Sequence, residues 1–417
     1  MALRKLDEYQ KKAVESESNT VVTAGAGSGK TTVLAYRFVH LIESGQAEVG
    51  EILTLTFTRK AAAEMYERIY RLLLDKSGRA EDDERAGRLT RAVGDFDQAQ
   101  ISTLDSFCAR IVRGAGGRFG IPGNFRQDEY AISRLLQDRA LQFILENSEQ
   151  RGLKDFLRSY GIETVLEELF IPLAEEEFHL VEELTVTELY QRQLSFLEKK
   201  LSQLVDGLEE TRRWFSETEL PADKKRINEA MVLITAQESP AALLAARDWT
   251  GLAELAAVRP SSFGGNIKDP LLLEGREHIR NWQSVTGEMQ AILPYFLDQE
   301  VYRQMYRLLE EFRQRVNEAK RRAGVLSFSD VVEAAIRLLR EDRQLRDFYK
   351  GRFTHIMIDE FQDNNDLQRQ LLFLLAERSD RTAKGVPGPE DLASNKLFFV
   401  GDEKQSIYRF RNADVRV

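Results

Sequence analysis

Nine residues, Ala24 to Thr32 (A-G-A-G-S-G-K-T-T), constrain this chain more than any other stretch. They follow N-T-V-V-T (Asn19 to Thr23), a short β-branched run that predicts a buried strand. They lead into Thr31 to Ser44, whose apolar residues recur at helical spacing as far as Gly45. The loop therefore joins a strand to a helix. Gly25, Gly27 and Gly29 admit positive φ, which lets backbone N–H groups turn inward on a polyphosphate while the helix offers the positive end of its dipole. Lys30 would reach the β- and γ-phosphates of ATP, and the Thr31 hydroxyl would hold Mg²⁺. The candidate nucleotide-binding set is Ala24, Gly25, Ala26, Gly27, Ser28, Gly29, Lys30, Thr31 and Thr32. Ala24 stands where G-x-x-x-x-G-K-[ST] begins with Gly, so the match is one residue short, and a Gly-rich turn capping a helix is the plainer alternative.

Such a loop needs an acid that holds the metal and activates water. Thr354 to Ile358 is another apolar, β-rich run, and Asp359 and Glu360 follow it within F-T-H-I-M-I-D-E-F-Q-D. Strand ends of this kind are where ligands bind in α/β sheets. Asp359 would bind Mg²⁺ and Glu360 would polarise the attacking water. An exposed acidic loop after an edge strand is the alternative. Leu397 to Val400 predicts a further buried strand, after which Gly401 allows a tight turn and Asp402 and Gln405 lie where a γ-phosphate and its water could be sensed. Tyr408 and Phe410 then alternate with Arg409 and Arg411, a pattern that suits stacked bases and tracked phosphates.

Near the start, Leu3 to Val14 predicts an amphipathic helix, on which the Gln10 amide has the donor and acceptor that suit an adenine edge. Ile52 to Phe57 predicts a third strand, followed by T-R-K and a helix over Ala61 to Leu74. Thr58, Arg59 and Lys60 then sit between a strand end and a helix start, a place that favours a phosphate backbone, and Phe57 could stack on a base; a core Phe beside two solvated cations is the alternative. Gly78 to Gly94 predicts an exposed helix, and Q-I-S-T (Gln100 to Thr103) a short strand running into a helix at Leu104 to Val112.

Composition turns to Gly and Pro at Gly114 to Gly123, where a domain boundary is expected. The following stretch to about Ala323 is helical in period, with a soft interruption at Arg259 to Pro270, and strand signals resume only at Thr354. An all-helical module inserted between two halves of an α/β core is the expectation. With 417 residues, 42% hydrophobic and 30% charged, the chain has room for two to three domains of ordinary globular composition. No membrane-spanning run and no secretory signal stand out, and the one cysteine, Cys108, cannot form an internal disulfide, so a reducing cytoplasm is expected. Cys108 reads as a buried packing residue rather than a nucleophile. The net charge of -9 does not exclude nucleic acid, because a local basic face decides such binding. Acid is concentrated in Gly161 to Leu220, and Arg303 to Arg322 reverses the balance as either a DNA face or a solvated helix with i,i+4 pairs.

Taken together, Gln10, A-G-A-G-S-G-K-T, T-F-T-R-K-A-A-A-E-M, I-S-T-L-D-S-F-C, D-E-F-Q-D and V-G-D-E-K-Q-S-I-Y-R-F-R resemble, in order, the motifs of UvrD/Rep-type superfamily 1 DNA helicases. The wording I-S-T-x-x-S-F-C and K-Q-S-I-Y-R-F-R is more similar to the AddA/RecB branch, the motor subunits of recombination helicase-nucleases. The resemblance covers about half the chain and is weak across the helical stretch. It implies an α/β fold: a RecA-like P-loop domain with a parallel sheet, in segments 1–120 and 324–417, interrupted by a large all-helical inserted domain at 121–323. It implies an ATP-dependent 3′-to-5′ helicase or translocase acting on single-stranded DNA or duplex ends, with ATP and Mg²⁺ and no membrane, and it leaves open a nuclease partner subunit.

By the same resemblance Gln10 would contact adenine, Lys30 and Thr31 the phosphates and metal, Asp359 the metal, Glu360 the water and Gln405 the γ-phosphate. Phe57, Thr58, Arg59, Lys60, Tyr408 and Phe410 would line the DNA track. Asp105 stands where the branch usually has His, so it is not assigned to the site. The resemblance also places a second motor domain and its arginine after Y-R-F-R, and the chain stops at Val417. A motor half that binds nucleotide weakly and does not hydrolyse it at motor rates is the expectation. A phosphate-loop switch without DNA, or a partner-binding module, are the alternatives.

Overall fold

The structure, a computed structural model, describes residues 6–25, 27–79, 82–177, 185–262, 267–363 and 365–402. These fall into two compact units, one built from the described residues up to 135 and from 317 onward, the other from those of 136–316.

The first unit is α/β. Strands β1 (Thr20–Thr23), β2 (Ile52–Thr56) and β3 (Gln100–Thr103), two-residue strands β4 (Arg126–Gln127) and β5 (Val325–Leu326), and strands β6 (His355–Asp359) and β7 (Leu397–Gly401) follow in chain order. Five of them form one parallel sheet in the order β1-β7-β6-β2-β3. Parallel neighbours require crossovers, and the crossing helices bury β2 and β6 along their whole length. β1 departs from the expected buried strand: Thr20 and Val22 are half-buried while Val21 and Thr23 are exposed, because this strand lies at the sheet edge with a neighbour on one side only. Alternation still assigns each side chain to a face. Ile52, Met357, Phe398 and Val400 point into one core with Phe38, Met65, Ile69 and Leu73. Leu53, Leu55, Ile356, Ile358 and Leu397 point into the other with Phe107, Val331 and Leu371.

On the first face lie α1 (Glu8–Val14), α2 (Lys30–Glu43), α3 (Arg59–Ser77) and α4 (Asp83–Gly94). On the second lie α5 (Leu104–Ala115) and the helices Phe328–Glu341, Arg343–Arg352 and Asp366–Ala376. The expected elements form, with ends shifted by a few residues. Within the described residues α1 begins only at Glu8, because Asp7 accepts the Gln10 N–H and Gln10 answers the Asp7 N–H, a reciprocal cap that fixes the start. The Gly- and Pro-rich stretch from Gly114 is a packed turn of the first unit: a Cβ on Gly116 would lie 3.0 Å from Val112 and 3.3 Å from Ile121. The expectation that strand ends at Thr103 and resumes near Thr354 is corrected by β4 and β5, which pair in parallel over two residues each. Two residues are too few to carry an alternation.

All the described secondary structure wholly within the second unit is helical, dominated by Val186–Glu217 and Pro270–Ile292. Leu201, Leu208, Phe215, Ile279, Trp282 and Met289 form its core. Trp282 is buried entirely because its indole N–H finds the Val258 carbonyl at 3.2 Å. Among the described residues no helix is long and apolar enough to cross a membrane.

One buried ionic network locks the segment between Ala376 and β7 to the first unit. Glu377 is fully buried and meets Lys350 Nζ at 2.8 Å, Arg346 Nε at 3.6 Å and the Arg381 guanidinium. Lys350 Nζ also donates to the Arg378 carbonyl, and Lys396 Nζ to the Lys350 carbonyl. Burial, with Lys350 nearby, pulls Lys396 down to about 8. Cations outnumber anions here, so Glu377 is the member the network cannot lose. Glu377→Ala is expected to destabilise the first unit by about 3 to 5 kcal/mol, the cost of stranding buried charge. Glu377→Gln should cost less. Hydrogen exchange in β6 and β7 measures the loss, while Trp214, Trp249 and Trp282, all in the second unit, report that unit separately.

Candidate nucleotide site

Because all five strands run the same way, their carboxyl ends form one edge, and the register brings Gly401 beside Thr23, Val400 beside Asp359 and Leu55 beside Ile358. The carboxyl ends of β1, β2, β6 and β7, each of which leads into a predicted site segment, therefore lie along one edge of the sheet. The loop after β1 starts with the Ala24 N–H bonded to the Gly401 carbonyl at 3.0 Å. Gly27 and Gly29 have φ of 74° and 89°, the left-handed region that favours glycine. Gly25 does not share it, contrary to expectation, and a Cβ there would meet Asp402 Oδ2 only at an ordinary 4.0 Å. Gly29 caps α2 without a side chain, which leaves the first N–H groups of that helix turned to whatever anion the loop holds.

Lys30 is the first residue of α2 and is buried, and among the described residues its Nζ has no hydrogen-bond partner. A buried ammonium without a partner is costly, and Glu360 Oε2 at 3.4 Å is its one ion-pair contact among the described residues. Thr31 is half-buried, and the Thr32 hydroxyl accepts from Arg68 at 3.1 Å. Asp359 ends β6 and is buried. Its carboxyl is pushed up to about 6, first by burial and then by the charge of Glu360, against the Glu360 N–H that it accepts at 3.1 Å and the charges of Lys30 and Arg68. A bound cation opposes both upward pushes and returns the group to the carboxylate that binds metal. Glu360 follows with φ 56°, uncommon for a residue with a side chain, a local strain of the sort that collects at functional sites.

The residues fit ATP with Mg²⁺. A buried cation with no hydrogen-bond partner among the described residues, a left-handed glycine cradle and a helix start without a side-chain cap suit phosphates, and a protonation-prone carboxyl beside them suits a metal.

Gln10 donates to the Ser28 carbonyl at 2.8 Å, so both of its amide groups already serve the protein, one in the α1 cap and one on the phosphate loop. Phe57 is half-buried just beyond β2, with Thr58, Arg59 and Lys60 exposed; the Thr58 hydroxyl caps α3 through the Ala61 N–H at 3.0 Å. Asp105 sits in the first turn of α5, where a carboxylate favours the helix dipole, and its charge adds to burial in raising the Cys108 thiol. Ala26, Gln405, Tyr408 and Phe410 lie outside the described residues. Along Arg303 to Arg322 the basic excess is largely spent in ion pairs: Arg313 with Glu310, Arg315 with Glu146 and Glu311, Arg322 with Glu318, and Lys320 with buried Asp330 at 3.1 Å. Two residues escape sequence reasoning, Arg68 and Gln362. Gln362 sits inside the quoted D-E-F-Q-D motif, whereas nothing local marks Arg68.

A cavity of 560 Å³ opens at the other end of the sheet, before β2 and β3. Its lining mixes Glu48, Glu51 and Asp95 with Arg88, Arg91 and Arg352, which does not select for phosphate.

The model of the UvrD/REP helicase N-terminal domain matches residues 6–417. The chain is 28% identical to an ATP-dependent helicase/nuclease subunit of Syntrophomonas wolfei, over 97% of this chain and 34% of that protein. It is 30% identical to the like-named protein of Lactobacillus delbrueckii, over 97% of this chain and 36% of that protein. It is 27% identical to the exonuclease/helicase subunit RexA of Streptococcus pneumoniae, over 96% and 35% respectively. The chain thus spans about a third of the length of these relatives.

Proposed function

Since the chain belongs to the UvrD/REP helicase N-terminal domain family, we propose that it is the ATP-binding part of a DNA motor that moves 3′ to 5′ on single-stranded DNA in recombination or repair. The observation that carries the reading is the 3.4 Å approach of Lys30 to Glu360 across loop and strand end, beside a buried Asp359. The first unit is then a RecA-like domain and the helical unit its insert. The relatives are named as subunits of a helicase/nuclease, which supports an assembly with nuclease activity and at least one further polypeptide. Work on DNA of this kind belongs in the cytoplasm.

In this reading the loop N–H groups and Lys30 hold the phosphates, and the Thr31 hydroxyl and Asp359 hold the metal. Mg²⁺ there would neutralise charge developing on the phosphate oxygens. Glu360 orients the water and takes its proton. Lys30 turns from Glu360 to the phosphates when nucleotide enters, which frees the carboxylate for that role. Phe57 stacks on a base, and Arg59 and Lys60 track phosphates.

The test is ATP turnover by the whole protein with and without single-stranded DNA. Stimulation supports the motor; turnover indifferent to DNA favours a nucleotide switch. Phe57→Ala is expected to weaken single-stranded DNA binding by roughly 1 to 3 kcal/mol with little sequence preference. A variant that binds DNA like the parent yet melts earlier makes Phe57 a core residue instead.

A further inference from the structure

Gln362 is buried, two residues past Glu360, and both ends of its amide are engaged. Its Nε2 donates to Glu360 Oε2 at 2.7 Å, and its Oε1 accepts the Asp402 N–H at 2.9 Å. We infer that Gln362 is a positioning residue for ATP hydrolysis, holding the Glu360 carboxylate in the orientation that activates water and tying it to the end of β7. The inference rests on the reading of Glu360 as the water-polarising group.

Three observations carry it. Glu360 is held at positive φ, which persists only where neighbours over-determine the conformation, and the Gln362 amide is one such restraint. Gly401 has no room for a side chain: a Cβ there would lie 2.4 Å from Gln362 Oε1 and 2.5 Å from the Phe361 ring, so the glycine exists where the amide must approach the β7 backbone. The Gly401 carbonyl in turn accepts the Ala24 N–H at 3.0 Å, so the phosphate loop, the end of β7, Gln362, Glu360 and Lys30 form one connected circuit. Any shift of Gly401 and Asp402 reaches Glu360 through one rigid amide. The Gln362 and Lys30 contacts of the Glu360 carboxylate both fall on Oε2.

Two substitutions separate positioning from packing. Gln362→Leu removes both bonds at similar volume. Gln362→Glu keeps an acceptor for the Asp402 N–H and sets a second carboxylate against Glu360, and like charges so close raise the pKa of the pair. In the whole protein at saturating single-stranded DNA, Gln362→Leu is expected to lower kcat for ATP at least about tenfold, as partial loss of a positioned base does, with KM changed less than about threefold. Gln362→Glu is expected to move the acid limb of the kcat profile upward by about one pH unit or more. Glu360→Gln is measured alongside. If it abolishes turnover while the Gln362 variants keep the parent kcat and pH profile, or lose kcat only in proportion to folded protein, the Gln362 assignment is overturned alone. If Glu360→Gln itself leaves turnover intact, the reading of the site fails first.

Discussion

Lys30→Ala is expected to raise the dissociation constant for an ATP analogue with Mg²⁺ by at least about tenfold, since each hydrogen bond to a charged group contributes roughly 1.5 to 3 kcal/mol and an ammonium can make several to phosphate. The effect is large because of where Lys30 stands. It is buried at the first turn of α2, and among the described residues its Nζ lacks a hydrogen-bond partner and has one ion-pair contact, Glu360, 3.4 Å away. Binding of phosphate relieves that cost as well as adding contacts. Removal also strips from Asp359 one of the charges that hold its carboxyl down, so the metal site is weakened in the same step. Lys30→Met keeps the apolar stem and should lose nearly as much affinity, which separates charge from packing. Calorimetric titration of the chain decides it, and unchanged affinity in both variants rejects the phosphate-loop assignment.

The parts of this site legible in the sequence are those written in neighbouring residues. Strand, glycines, lysine and threonine between Asn19 and Ser44 specify a local geometry, and Asp359 and Glu360 follow a strand signal directly. The sheet strands are legible for the same reason, as short apolar runs bounded by turns. Their order is not, because β1 pairs with β7 across most of the chain and no local pattern encodes a partner. Gln362 illustrates the limit: its type is suited to bridging, but the Asp402 N–H that it accepts is forty positions away. Gly25 shows a different one, since a glycine with neither a positive φ nor a crowded Cβ position looks in sequence like one that needs them. The run Arg303 to Arg322 leaves a DNA face and a solvated helix with i,i+4 pairs open in sequence, and the pairs within its helix favour the second, while those with Glu146 and Asp330 have no local signal. Nor does composition mark the division between the units, which falls inside the helices Glu129–Asn147 and Gln299–Ala323.

Glu360→Gln is expected to separate binding from chemistry. The amide keeps the size of the carboxylate and can still accept from Gln362, so the positive-φ turn after β6 should persist. Nucleotide affinity should hold or improve, because Lys30 loses its competing anion and Asp359 loses the neighbouring charge that helps to raise its carboxyl. Turnover should fall by about a hundredfold or more, the usual consequence of removing a positioned general base. The sign of the pH dependence follows from Asp359. With its carboxyl near 6 before metal binds, the parent should bind Mg²⁺–nucleotide more weakly as pH falls through 6, and Glu360→Gln should move that loss to lower pH. Single-turnover hydrolysis in the whole protein, beside titrations of nucleotide at several pH values, reads both quantities. Equal loss of binding and turnover would make Glu360 a structural residue, because removing a group that acts on the reacting water takes away the chemical step and leaves the phosphates held.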